Sequence, residues 1–172
     1  LNEISDEIVW TVIAAEDIRF YQHHGIDHGS TVSAGWRNVR RSEGKRMRGA
    51  STITIQLADM LLEDKSTWKE TKKGEWSYAL LIEKEKTKEE ILEAYLNTAV
   101  FGHSHRERKD ITGIRAAAKY YFDKEPIQIN LTEAAVLASM INHPTVYGTK
   151  MYDDVVFKGT DKEESRSFQR ML

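Results

Sequence analysis

Only two prolines, Pro126 and Pro144, interrupt a 172-residue chain whose apolar residues return repeatedly at helical spacing. Proline removes a backbone donor and stops a helix, so its scarcity leaves long stretches able to stay helical. Ile8, Val9, Val12 and Ile13 line one side of a helix predicted from Asp6 to about Phe20. Further helices are expected over 51–62, 68–86 and 111–121, and from Leu131 onwards. Thr87 followed by Glu90 is a capping-box pattern, and it opens another helix to about Asn97. Segment 30–41 reads as helical or irregular, and a last helix is expected from about Glu163. Period-two alternation is weak and allows one short hairpin at most. Val100 to Asp110 reads as a polar loop carrying His103 and His105. The fold class is therefore mainly α.

Composition narrows the function classes. Hydrophobic residues make up 40% and charged residues 30%, the balance of a soluble globular domain, and the length suits one domain over 1–172. A formal net charge of -2 argues against a global polyanion-binding surface and against nucleic acid as a partner. Cysteine is absent, which excludes disulfides, thiolate nucleophiles and thiolate metal sites. No stretch approaches the roughly 18–20 apolar residues of a membrane span, and no signal peptide is visible.

Two runs carry chemistry. In the first, the apolar stretch Ile8–Ala15 ends in Glu16, followed by Asp17, Arg19, Phe20, Tyr21, His23, His24 and Gly25. A carboxylate at the end of an apolar helix is a candidate acid or base, because burial raises its pKa towards the working pH. Standing alone, such a run is more often a solvated helix end. Phe20 and Tyr21 read as core, and His23 as a hydrogen-bonding partner within the loop. Adjacent His23 and His24 are poorly placed to hold one metal ion. In the second run, Gly49 precedes Ser51, Thr52, Thr54 and Gln56. Ser51 or Thr52 is suited to cap the helix that follows, and a helix start with hydroxyls suits an anion such as a phosphate. An ordinary capped helix is the plainer reading. Ser51 lacks the His/Asp pattern of a catalytic nucleophile.

Four more runs follow: Lys72-Lys73-Gly74-Glu75, Glu89–Asn97, Gly113–Phe122 and Leu131–Ala138. In order and spacing, the six together resemble the peptidoglycan glycosyltransferase family, from about Ile8 to Tyr147. The resemblance implies a lysozyme-like fold with a large globular lobe and a smaller membrane-facing lobe. It implies an N-terminal membrane anchor ahead of Leu1, and action at the extracytoplasmic face of the bacterial cytoplasmic membrane. The reaction implied is polymerisation of lipid II onto a growing glycan strand, with inversion and loss of a lipid pyrophosphate. Cell-wall synthesis or division proteins are the further partners it brings. Glu16 matches the base that deprotonates the acceptor hydroxyl, and Glu75 the second essential carboxylate, near the pyrophosphate. A carboxylate there needs a cation between itself and the phosphates, either Mg²⁺ or a basic side chain such as Lys72. The plainer reading of Lys72 and Glu75 is an exposed helix ion pair. Asp17 reads as orienting or structural, and Arg19 as a partner for phosphate or carboxylate. Gly49, Ser51, Thr52, Thr54 and Gln56 match the phosphate and sugar region, and Glu93 and Asn97 the supports of the cleft. The basic stretch from Trp36 to Arg48 falls in the membrane-facing lobe of that family, where its cations would meet anionic headgroups.

The chain also departs from that pattern. Ser33, Asp59, Thr67 and Thr71 stand where the family usually carries basic residues, and Asp59 reverses the local charge. Asp123 stands where a glycine is usual, and His103–Asp110 is longer and more charged than typical. Two alternatives stay open: a weak or silent domain that binds lipid-linked glycan, and a lysozyme-like glycan hydrolase, which would have no use for pyrophosphate-binding cations.

Overall fold

The computed structural model describes residues 1–27, 51–62, 72–104 and 108–142. Gly49, the basic stretch from Trp36 to Arg48, segment 30–41, Ser33, Thr67, Thr71, His105 and the helix expected from Glu163 lie outside them. The chain divides into two compact units. The first holds Leu1 and Ile13–Thr98, and the second holds Asn2–Val12 and Ala99–Leu172. The described residues are mainly helical, as the spacing of apolar residues predicts.

Helix α1, Asp6–Glu16, carries acidic residues in its first turn, where they complement the helix dipole. It ends four residues before the boundary expected from periodicity. After Asp17 the chain tightens into a 3₁₀ turn, Phe20–Gln22. That turn buries Phe20 completely and leaves Tyr21 45% exposed, so only one of this aromatic pair is core.

The first unit is completed by α2 (Ile53–Leu61), α3 (Lys72–Glu85) and α4 (Lys88–Thr98). Thr52 caps α2, its hydroxyl accepting from the Ile55 N–H at 3.1 Å. Ile53, Ile55, Leu57 and Ala58 of α2 are buried, as are Ala79 of α3 and Ile91, Leu92, Tyr95 and Leu96 of α4. The capping box of α4 forms as the sequence predicts. Glu90 N–H donates to the Thr87 hydroxyl at 3.2 Å, and Thr87 N–H donates to the Glu90 carboxylate at 2.9 Å. Gly25, at φ +84, faces α3 closely, and an added Cβ would lie 3.2 Å from the Ala79 carbonyl oxygen. The positive φ favours glycine there, and the contact leaves little room for a side chain.

The second unit corrects the reading of Val100 to Asp110 as a loop. Strands β1 (Val100–Ser104) and β2 (Lys109–Thr112) pair antiparallel, with an irregularity between Val100 and Gly102. The burial pattern follows the bulge and not a clean alternation, which is why period two is faint in the sequence. Ile111 and Thr112 belong to β2, so the next helix, α5, runs over Ile114–Phe122. Asp123 closes it in the left-handed conformation at φ 55, where glycine is the usual residue. Helix α6, Leu131–Asn142, starts behind a further capping box. There Glu133 N–H donates to Asn130 Oδ1 and Asn130 N–H to the Glu133 carboxylate, both at 3.0 Å.

Candidate active site

The first unit brings two of the sequence runs together at the end of α1. Glu16 is the last residue of that helix. Its carboxylate accepts a hydrogen bond from Gln56 Nε2 at 3.0 Å, so the first run meets the second directly. Burial pushes the Glu16 carboxyl above its ordinary value of 4.5; the Gln56 donor opposes that rise, and the charge of Asp17 adds to it. A carboxyl held above its usual range is the property asked of a general base near neutral pH.

Asp17 is buried. Both of its oxygens accept from His23 Nε2, at 2.9 and 3.0 Å. One of them also accepts the N–H of Ile53, the first residue of α2, at 3.1 Å. A carboxylate at a helix N-terminus satisfies a donor that lacks an intrahelical partner and meets the positive end of the dipole. Thr52 adds a second tie, its hydroxyl donating to the Gly25 carbonyl. The loop after Glu16 and the start of α2 are therefore fastened at two points.

Arg19 forms a fork with Asp27. Its Nε and Nη2 donate to the two carboxylate oxygens at 2.9 Å each. Of the two partners open to Arg19, the structure gives it the carboxylate. Thr54 is fully buried, and its hydroxyl donates to Glu83 Oε1 at 2.6 Å. Lys88 Nζ reaches the same oxygen at 2.7 Å and sits 4.4 Å from the centre of the Phe20 ring. Thr52 and Thr54 are thus buried, with their hydroxyls engaged within the protein.

Ser51, Ile55, Gln56, Asp59, Met60 and Glu75 line a cavity of about 260 Å³. Gln56 is common to this cavity and to the Glu16 contact. Glu75 projects from the first turn of α3, which Lys72 opens. Asp59 lines the same space as the second candidate carboxylate. Among the described residues, no group of three or more His, Asp or Glu side chains gathers as a ready-made metal site.

Tyr95, Glu83, Lys88 and Asp27 are the site residues that sequence reasoning missed. Tyr95 is fully buried, and its hydroxyl donates to Gln56 Oε1 at 3.0 Å. Glu93 and Asn97, expected as supports of the cleft, are exposed on α4 and border a separate groove instead. Residues two apart on a helix point in different directions, so the face that carries Tyr95 inward carries its neighbours away. Only the helical phase of α4 against α2 would have singled out Tyr95.

Residues 1–171 match the transglycosylase family. The chain is 39% identical to penicillin-binding protein 1F of Bacillus subtilis over 156 residues, which is 90% of this chain and 20% of that protein. It is 40% identical over 146 residues to the biosynthetic peptidoglycan transglycosylase of Yersinia pseudotuberculosis, covering 84% of this chain and 56% of that one. With penicillin-binding protein 1A of Escherichia coli the identity is 38% over 147 residues, 86% of this chain and 16% of the relative. The chain therefore spans between a sixth and somewhat over half of the length of these relatives.

Proposed function

This chain belongs to the transglycosylase family, and we propose that it is a peptidoglycan glycosyltransferase domain that joins lipid-linked disaccharides into a glycan strand. The observation that carries the reading is the Glu16 carboxylate, raised by burial and held by the Gln56 amide where two of the family-like runs converge. In this reading residues 1–172 act as one domain with a lysozyme-like helical fold at the extracytoplasmic membrane surface. Among the described residues, no helix is long and apolar enough to cross a membrane.

Glu16 takes the proton from the acceptor sugar hydroxyl of lipid II. The freed oxygen attacks the anomeric carbon of the growing chain from the face opposite its pyrophosphate, so the configuration inverts. Gln56 holds the Glu16 carboxylate for that transfer, and the ties from Asp17 and Thr52 fix α2 in place. Ser51, Gln56 and Glu75 line the space assigned to the leaving group. Holding both reacting groups in line supplies much of the acceleration in such a transfer.

The donor set of the cavity fits a magnesium ion. Magnesium is usually held by one or two carboxylates together with substrate phosphates, and Asp59 and Glu75 are two carboxylates that line the same cavity. Asp59 and Glu75 would hold the ion, and its chemistry there would be neutralisation of the pyrophosphate charge.

Asp59 also favours a second reading, a weak or silent domain that binds lipid-linked glycan. An acidic residue in the cavity opposes a pyrophosphate unless a cation intervenes.

The test is to incubate the full-length protein with labelled lipid II and Mg²⁺, with and without moenomycin, beside a Glu16→Gln variant. Moenomycin-sensitive polymer from the wild type and none from the variant is the expected result. Lipid II binding without polymer would favour the silent domain.

A further inference from the structure

From the chain of contacts running Tyr95, Gln56, Glu16, we propose that Tyr95 is a positioning residue for the base, acting only through the orientation of the Gln56 amide. The inference rests on Glu16 as the base proposed above. Its geometry is local to the first unit: Tyr95 OH lies 3.0 Å from Gln56 Oε1, and Gln56 Nε2 lies 3.0 Å from Glu16 Oε2.

A primary amide presents an acceptor on one side and a donor on the other, and a half-turn exchanges them. One orientation directs the NH₂ at Glu16 and stabilises its ionised form. The other directs the carbonyl oxygen at Glu16, which repels the carboxylate and welcomes its proton. A hydroxyl that donates to the amide oxygen selects the first orientation. Tyr95 is suited to that task because it is completely buried. Burial and the nearby charges of Glu16 and Asp17 also push its phenol far above the usual range, so it stays protonated at any working pH. A neutral donor at the far end of the amide thereby keeps the base ionised.

The groups around Glu16 that carry or change charge come from several elements. Asp17 stands beside it with His23 on the far side of that carboxylate, and α4 contributes Tyr95. Helix α2 adds Asp59 and α3 adds Glu75, both along the cavity that Gln56 borders. Of these, only Tyr95 touches the amide oxygen that sets the donor direction.

The test replaces Tyr95 with Phe, which removes the hydroxyl and keeps the ring. Two readouts are taken: the pH profile of polymerisation by the full-length protein, and the Glu16 carboxyl titration followed by carbon-13 NMR on this chain. Tyr95→Phe is expected to move the acid limb and the titration upwards by about 0.5–1 pH unit, the equivalent of one hydrogen bond. On the acid side of the limb kcat should fall by about threefold to tenfold with KM unchanged. In a Gln56→Leu background, where no amide remains to be oriented, adding Tyr95→Phe should move neither readout further.

An unmoved limb and titration, or a further shift in the Gln56→Leu background, overturns the proposal. If Tyr95→Phe fails to fold, the wild type decides. The Gln56 side-chain amide resonance should follow the Glu16 titration, and an amide indifferent to it overturns the coupling. The titration needs no turnover, so a wild type that makes no polymer would remove the proposed function while leaving this coupling separately readable.

Discussion

The Asp17 carboxylate accepts the backbone N–H of Ile53 at 3.1 Å, and this one bond joins the end of the first helix to the start of the second. Asp17 and Ile53 lie in separate sequence runs, each readable as ordinary helix punctuation. Joined, they place Gln56, three residues into α2, where it meets Glu16. The base and the amide that holds it are therefore positioned by a buried ion-and-dipole contact beneath them.

Removing that contact should cost stability before it costs chemistry. Asp17→Ala leaves the Ile53 N–H and the His23 ring without their buried acceptor. A loss of about 3 kcal/mol is expected from stranding two such groups. Urea denaturation would measure it, and a loss below about 1 kcal/mol would mean that the N-terminus of α2 is held by other contacts.

Glu16 should show the trade between stability and function. Its folded-state pKa is raised, so its favourable contribution is complete below the ordinary value of 4.5 and is lost as pH rises through the raised value. Catalysis by a base runs the opposite way, failing as pH falls through the same value. Glu16→Gln should therefore melt at a higher temperature than wild type near pH 8 and at the same temperature near pH 4. Thermal unfolding across that range decides it. A difference in Tm independent of pH would show that burial of the charge is not its source.

The buried Glu83 should tolerate loss of its charge better than loss of its partner. Lys88 and Thr54 both donate to Glu83 Oε1, and the Glu83 side chain is only 6% exposed. Lys88→Met strands a buried carboxylate, at an expected cost of about 3 kcal/mol. Adding Glu83→Gln should recover most of that loss. A double variant no more stable than the single one would assign the cost to the lost Lys88 contact with Phe20.

Asp59→Lys places positive charge in the cavity that Glu75 also lines. Affinity for a lipid pyrophosphate, measured by calorimetry in detergent without divalent metal, is expected to rise about fivefold, as one partly screened charge pair would give. Unchanged affinity would place the pyrophosphate away from this cavity.

Asp123 occupies a left-handed helix end, where only glycine escapes the steric cost. Its surface ion pair with Lys119 offers little in return. Asp123→Gly should raise the melting temperature at neutral pH, as scanning calorimetry would show, and a lower one would credit the ion pair instead.

The sequence by itself determined the helices, the capping box at Thr87 and the family. Each of these depends on local spacing or on residue order, and both are written along the chain. The tertiary structure decided the rest. Periodicity carried α1 to Phe20, but the buried demands of Asp17 end it at Glu16. The aromatic pair looked uniformly apolar, yet one tight turn sends Phe20 inward and Tyr21 to the surface. Arg19, open to phosphate or carboxylate, is committed to Asp27. Tyr95 joined the site, and Glu93 and Asn97 did not, because the rotation of α4 against α2 chooses which face of a helix looks inward. That rotation is set by packing between residues far apart in the chain, and no window of local sequence contains it.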